Sequence, residues 1–230
     1  MASQTKPKES VRVPLSRDRV LRAAMDLADD AGIESLTMRR LAQELGVEAM
    51  SLYYYVANKD EILNGIVDVV VGEIELPSPG TDWKRGLRRI AISAYDVLTR
   101  HPWAANLVLT STGISRARLR YMEAILGSLR EAGFSAEMTD HGYHALESHI
   151  MGFTLWEVGM NLGSVEDLKG LASEFLQRLS REELPHLAEH VEQHLKPRRP
   201  DDEGEFAFGL DLILDGLDRM LDTTPQGARA

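Results

Sequence analysis

Three clusters of side chains in this 230-residue sequence have types and spacings that could carry chemistry. His186, His190 and His194 stand at i, i+4 and i+8 on one helix face, a spacing that can hold Zn²⁺ or Ni²⁺. No carboxylate that would orient those rings can be identified, so a solvated face is the preferred reading. His141 and His144, with Glu147 one turn on, could also chelate, but a hydrogen-bonded pocket histidine fits better. The third cluster is basic and aromatic: Thr37, Arg39 and Arg40, then Tyr53, Tyr54 and Tyr55, then Lys59. Such groups suit phosphates and base edges. There are no cysteines, which excludes a disulfide scaffold, a thiolate metal site and a cysteine nucleophile. No P-loop, GxSxG, HExxH or GxGxxG occurs in a fitting context. The expectation is a binding protein without catalytic residues, metal ligands or cofactor.

The segment that must position the third cluster is Leu36–Tyr55, LTMRRLAQELGVEAMSLYYY, which has the shape of a helix-turn-helix. Leu41, Ala42, Leu45, Val47 and Leu52 would form its small core, and Gly46 its tight turn. A short helical hairpin of no special function is the alternative. With Leu52 turned inward, Ala49, Met50, Ser51, Tyr53, Tyr54 and Tyr55 fall on the outer surface, although Tyr55 could pack on the next helix. This outer face has no Arg or Lys. Readout would rest on Ser51, a tyrosine hydroxyl, and contact from Ala49 or Met50 to a thymine methyl. Arg39 is the best candidate for a guanine edge, and Arg40 for phosphate or solvent. Lys59, at a helix N-terminus, suits phosphate.

Charge is unevenly spread. Residues 1–59 carry nine Lys/Arg against eight Asp/Glu, while the remainder carries 17 against 28. The first 22 residues alone are +4 within a chain of net charge −10. A basic front on an acidic body implies an oriented molecule. No stretch approaches the roughly 18 apolar residues that span a bilayer, and the polar N-terminus lacks the apolar centre of a secretory signal. A soluble cytoplasmic protein without membrane contact is expected.

Helical periodicity runs through nearly every segment after residue 15, so the expected fold class is all-α. Helices are predicted from Ser16 to Gly32, from Thr37 to Gly46, over 48–54, and from Lys59 to about Glu75. The last of these starts with a capping box between Asn58 and Glu61. Pro77–Gly80 is a break. Further helices are predicted at 82–100, 103–109, 116–132, 136–161, 165–179, 181–195 and 205–222, with Ser164 and Ser180 as caps. The domains would be a disordered basic arm (1–15), a three-helix helix-turn-helix domain (16–76), a larger helical domain (81–222) and a disordered tail (223–230).

Val20-Leu21-Arg22-Ala23-Ala24, Gly32, Leu36–Ala42, Leu45-Gly46-Val47, Leu52-Tyr53 and Lys59 carry a specific resemblance. At these positions and spacings the sequence resembles the tetracycline-repressor-like (TetR) family of transcription regulators. Gly133-Phe134-Ser135, Gly152-Phe153-Thr154-Leu155 and Phe206–Leu217 extend the likeness to the tetracycline-repressor subclass. The resemblance implies a regulator, expected to repress, that binds a palindromic double-stranded operator as a homodimer and is released by a small-molecule effector. It also implies phosphate contacts for Tyr53 and Lys59. Helices 136–161 and 205–222, with their symmetry mates, would make a four-helix dimer bundle. Its seam would use Gly152, Phe206, Leu210, Ile213, Leu217 and Met220.

The larger domain should enclose an effector cavity. Its expected lining is Trp83, Trp103, Asn106, Leu107, Met122, Ile125, His144, Glu147, Ser148, Met151 and Trp156. The tetracycline repressor holds a magnesium–drug chelate through histidine and glutamate side chains. Its later histidine position is Gly152 here, its glutamate position is Met160, and its earlier histidine falls near Val108–Leu109. A largely apolar effector without Mg²⁺ is therefore expected. A constitutive DNA binder without ligand, or an all-α carrier or enzyme using the same cavity, are the competing readings. The acidic, apolar rear half disfavours a purely architectural DNA binder.

Overall fold

Ser16 opens the first helix as a side-chain cap should: its Oγ accepts the Arg19 amide at 3.3 Å. Helix α1 (Arg17–Ala31) ends at Gly32, and a 3₁₀ turn, Ile33–Ser35, follows. The chain continues through α2 (Met38–Leu45), α3 (Ala49–Leu52), α4 (Lys59–Gly72), α5 (Trp83–Arg100), α6 (Pro102–Thr110), α7 (Arg116–Ala132) and α8 (Ala136–Met160). It finishes with α9 (Val165–Arg178), α10 (Pro185–Leu195) and α11 (Gly204–Thr223). This computed structural model describes residues 14–110, 113, 115–160, 165–178, 181–196 and 203–223, and among them every regular element is helical. Most of the basic arm, most of the C-terminal tail, and the caps expected of Ser164 and Ser180 lie outside the described residues.

Three helices differ from expectation: α4 ends at Gly72 rather than near Glu75, and α3 and α10 are shorter too. α3 has four residues, not the seven of 48–54. The amides of Tyr55 and Val56 both bond the Leu52 carbonyl, which closes the helix and turns Val56 into the core. α10 begins at Pro185 rather than 181, because a residue before proline avoids the helical region. Leu184 accordingly has φ −130° and ψ 58°.

The chain forms two compact units. The first runs to Glu73 and includes His101–Leu119; the second takes Ile74–Arg100 and everything from Arg120 onward. This division differs from a simple break at Pro77–Gly80. α6 packs on α1 and α4, burying Trp103, Ala104 and Ala105, and so belongs with the first unit. Within that unit Val20, Leu21, Ala24 and Leu27 of α1 share a core with Ile62, Ile66 and Val70 of α4. A methyl at Gly65 would lie 2.6 Å from the Leu21 side chain, so the two helices run in close contact.

The second unit is built on α5, α8 and α11, which pack on one another. Leu87, Ile90, Ala94, Leu146, Ile150, Leu210 and Leu214 fill its centre. Lys84 Nζ reaches Asp215 at 2.7 Å and Asp218 at 3.0 Å, and Arg88 pairs with Asp211 at 2.8 Å and with Glu203. These pairs lace α5 to α11. Phe206 lies between Tyr95 and His149, stacked on both at centroid distances of 4.2 and 4.9 Å.

Candidate functional site

The helix-turn-helix is assembled by local chemistry. Thr37 Oγ1 accepts the Arg40 amide at 3.1 Å and starts α2. Leu41, Ala42 and Leu45 are buried, and Val47 is half-buried. Gly46 turns the chain at φ 66°, a conformation that side chains disfavour, and its N–H bonds back to α2. Leu52 is then fully buried, which fixes the rotation of α3.

That rotation leaves Met50 72% and Tyr54 87% exposed, with Tyr53 also exposed. Tyr55 is the most covered of the three tyrosines. Ala49 and Ser51 are half-buried, and Thr37, Arg39 and Arg40 are exposed. Ala49–Tyr55 therefore carries no charge, while Glu48, which caps α3, and Arg39 and Arg40 of α2 are exposed. Lys59 opens α4, where Asn58 Oδ1 accepts the Glu61 amide at 2.8 Å. Glu61 returns its carboxylate to the amide of Ala57 at 2.7 Å, not to that of Asn58 as the capping box implied. Its other oxygen lies 3.5 Å from Arg17 Nε, which ties the start of α4 to α1.

The residues expected to line an effector cavity are spread over both units and differ widely in exposure. Trp103, in the first unit, is buried and donates its indole N–H to Asp29 at 2.6 Å. Asn106 is exposed and Leu107 half-buried on the same helix. In the second unit Ile125 and Met151 are core, and Trp83 packs edge-on against Phe134 at 5.2 Å. Met122 is half-buried. Glu147 accepts the Tyr121 hydroxyl. His144 and Ser148 are exposed, and Trp156 is 56% exposed. The helical period explains the split, because 144, 148, 152 and 156 share one face of α8 while Leu146, Ile150 and Thr154 lie on the other. His144 is thus a surface histidine, 3.5 Å from Asp140, and not a pocket group. One cleft among the described residues, about 280 Å³, lies in the first unit against Arg17, Glu61, Asn64, Asp68 and Arg116, and none of the expected lining residues borders it.

The expected dimer seam also shifts. Phe206, Leu210 and Leu217 are buried within the chain and have no surface to offer a second copy. Phe208 and Leu212 are 68% and 59% exposed, and Met220 is exposed beside them in the helical period; Ile213 is half-buried. The 4-3-4-3 spacing of Phe206, Leu210, Ile213 and Leu217 marks the inward face of α11, not the outward one. His186 and His190 are exposed on α10; the side chain of His194 lies outside the described residues. Among the described residues no cluster of three His, Asp or Glu is placed to hold a metal, and no helix is long and apolar enough to cross a membrane.

Comparison with known proteins bears on both units. Residues 20–66 match the bacterial regulatory proteins of the tetR family, and residues 76–221 match the tetracyclin repressor-like C-terminal domain. The HTH-type transcriptional repressor DrrR1 of Streptomyces coeruleorubidus is 30% identical over 94% of this chain and 82% of its own. The TetR-family protein ActR of Streptomyces coelicolor, solved with (S)-DNPA, superposes with a TM-score of 0.73 at 27% identity, covering 90% of this chain and 99% of its own. BioQ, solved with its double-stranded DNA operator, superposes with a TM-score of 0.63 at 26% identity, covering 90% and 99%. A helix-turn-helix with an exposed second helix, followed by a helical domain of matching sequence, places this chain in the tetR family of bacterial regulatory proteins, as a DNA-binding transcriptional regulator.

Proposed function

We propose that this protein represses transcription in the cytoplasm by binding a palindromic operator as a homodimer, and that a small, largely apolar molecule releases it. The observation that carries the reading is the exposed, uncharged face of α3 beside Arg39 and Arg40, on a chain whose second unit is tetracycline-repressor-like. Ala49, Met50, Ser51, Tyr53, Tyr54 and Tyr55 would face the groove and its walls. Thr37, Arg40 and Lys59 would take phosphates, and Arg39 a guanine edge. A second copy would cover Gly152 and Trp156 of α8 with Phe208, Leu212 and Met220 of α11. A dimer is needed because one four-residue reader helix contacts too few bases, whereas two reach successive major grooves.

The effector reading is supported by ActR, which was solved in complex with (S)-DNPA. The resemblance to the tetracycline repressor implies that Gly152 and Met160 stand where that protein has metal ligands, so release would not require Mg²⁺. The regulator family favours this function over an all-α enzyme or carrier. The test is to titrate the protein with duplexes from its own promoter region and then screen small molecules for release. Specific binding by two copies, reversed by an apolar compound, is expected. Specific binding that no compound reverses would leave a constitutive regulator.

A further inference from the structure

Nothing in operator reading uses His101, yet its side chain is only 6% exposed and lies between two carboxylates. Nδ1 is 2.8 Å from Asp29 Oδ1 on α1, and the Trp103 indole N–H donates to the same oxygen. On the opposite side, Nε2 is 3.5 Å from Glu73 Oε2 at the end of α4, and it makes no hydrogen bond. Asp29 from α1 and Glu73 from α4 are thus charged groups that face the ring. From α6 comes the neutral indole of Trp103, whose centroid is 6.0 Å away.

The chemistry of this arrangement is incomplete without a proton. With Nδ1–H donating to Asp29, a neutral ring turns the Nε2 lone pair toward a carboxylate oxygen, acceptor against acceptor. A proton on Nε2 converts that contact into a charge-assisted hydrogen bond, and the ring then bridges α1 to the end of α4. The position matters as much as the chemistry. The chain leaves the first unit after Glu73 and re-enters it at His101. The two residues that face each other are therefore those at which the chain leaves and re-enters the first unit. The other end of the same helix begins at Lys59.

We propose that His101 is a positioning residue for operator binding: its imidazolium clasps Glu73 to Asp29, fixes α4 against α1, and makes operator affinity proton-dependent. The proposal rests on the operator-binding reading above. The clasp is complete with Nε2 protonated, so affinity is highest at low pH and falls as that proton leaves. One linked proton changes affinity by at most about tenfold per pH unit.

The experiment titrates the full chain against its operator and a random duplex at constant ionic strength, from about pH 5.5 to 8.5, the range in which histidine switches. Ring-nitrogen NMR of the same protein reports protonation of His101. Operator affinity should fall with rising pH, with its midpoint where His101 loses the Nε2 proton. His101→Gln should flatten that profile at the high-pH level of the wild type; Glu73→Gln, whose amide N–H can donate to a neutral Nε2, should flatten it as well; both should leave random-duplex binding unchanged. Variants that keep the wild-type slope, or a ring that titrates while affinity stays constant, would overturn the clasp. If His101→Gln does not fold, Glu73→Gln at its half-exposed site and the wild-type NMR profile decide the matter. A wild-type protein that binds no operator at any pH would instead defeat the operator reading itself.

Discussion

The phenolic hydroxyl of Tyr121 donates to Glu147 Oε1 at 2.5 Å, joining α7 to α8. Burial pushes the Tyr121 phenol well above its ordinary range, and the Glu147 charge pushes it further. The folded state therefore holds a proton that the unfolded chain releases near pH 10. Stability from this pair is complete below that pH and is lost as pH rises beyond it. Tyr121→Phe should cost about 1–3 kcal/mol in urea unfolding at neutral pH. It should also lose less stability than the wild type between about pH 9 and 11.

Arg39 and Lys59 should separate by role. Arg39→Ala should weaken specific operator binding by about 1–3 kcal/mol if it holds a guanine. Lys59→Ala should weaken operator and random duplex together and reduce the log–log salt slope by about one. Titration of both variants against both duplexes checks this; equal behaviour would refute the assignment.

The ion pairs between α5 and α11 should show in acid. Lys84 holds the Asp215 carboxyl below its ordinary range, and Asp215 with Asp218 raises the Lys84 amine. A depressed carboxylate contributes stability above its unfolded pKa and loses it as pH falls through the folded one. Lys84→Met should therefore flatten the loss of thermal stability on acidification, and added salt should shrink the difference between variant and wild type.

The outward face of α11 should control assembly, and the inward face folding. Phe208→Glu with Leu212→Glu should give a folded monomer by sedimentation and circular dichroism, and that monomer should lose operator binding. Leu217→Asp should instead destabilise the chain by about 3–5 kcal/mol, because it leaves a buried charge without a partner. A double variant that still sediments as a dimer would move the seam elsewhere.

Effector release should be indifferent to chelation. A compound that lowers operator affinity should do so equally with and without EDTA. Strict dependence on a divalent ion would show that the substitution of Gly152 and Met160 for metal ligands has been misread. A complete switch would require the effector to prefer the non-binding form by about 10⁴-fold.

Local signals in the sequence were enough to place the helices, apart from the ends of α3, α4 and α10, and the reader. Ser16, Thr37 and Asn58 each cap the helix they precede, and Gly46 makes its turn, through bonds that span four residues or fewer. Leu52 told which side of α3 faces in, and so which residues face out. Where two faces of one helix are both apolar, periodicity cannot say which is covered. α11 offers Leu210 and Leu217 on one side and Phe208 and Leu212 on the other, and only packing on α5 and α8 decided that the first pair is core. The same holds on α8, where Trp156 reads as a pocket wall until the helix is placed. Partners distant in sequence were equally invisible: Asp29 with His101 and Trp103, Tyr121 with Glu147, and Lys84 with Asp215. A polar side chain carries no local mark of its partner, since the pairing depends on how whole helices pack.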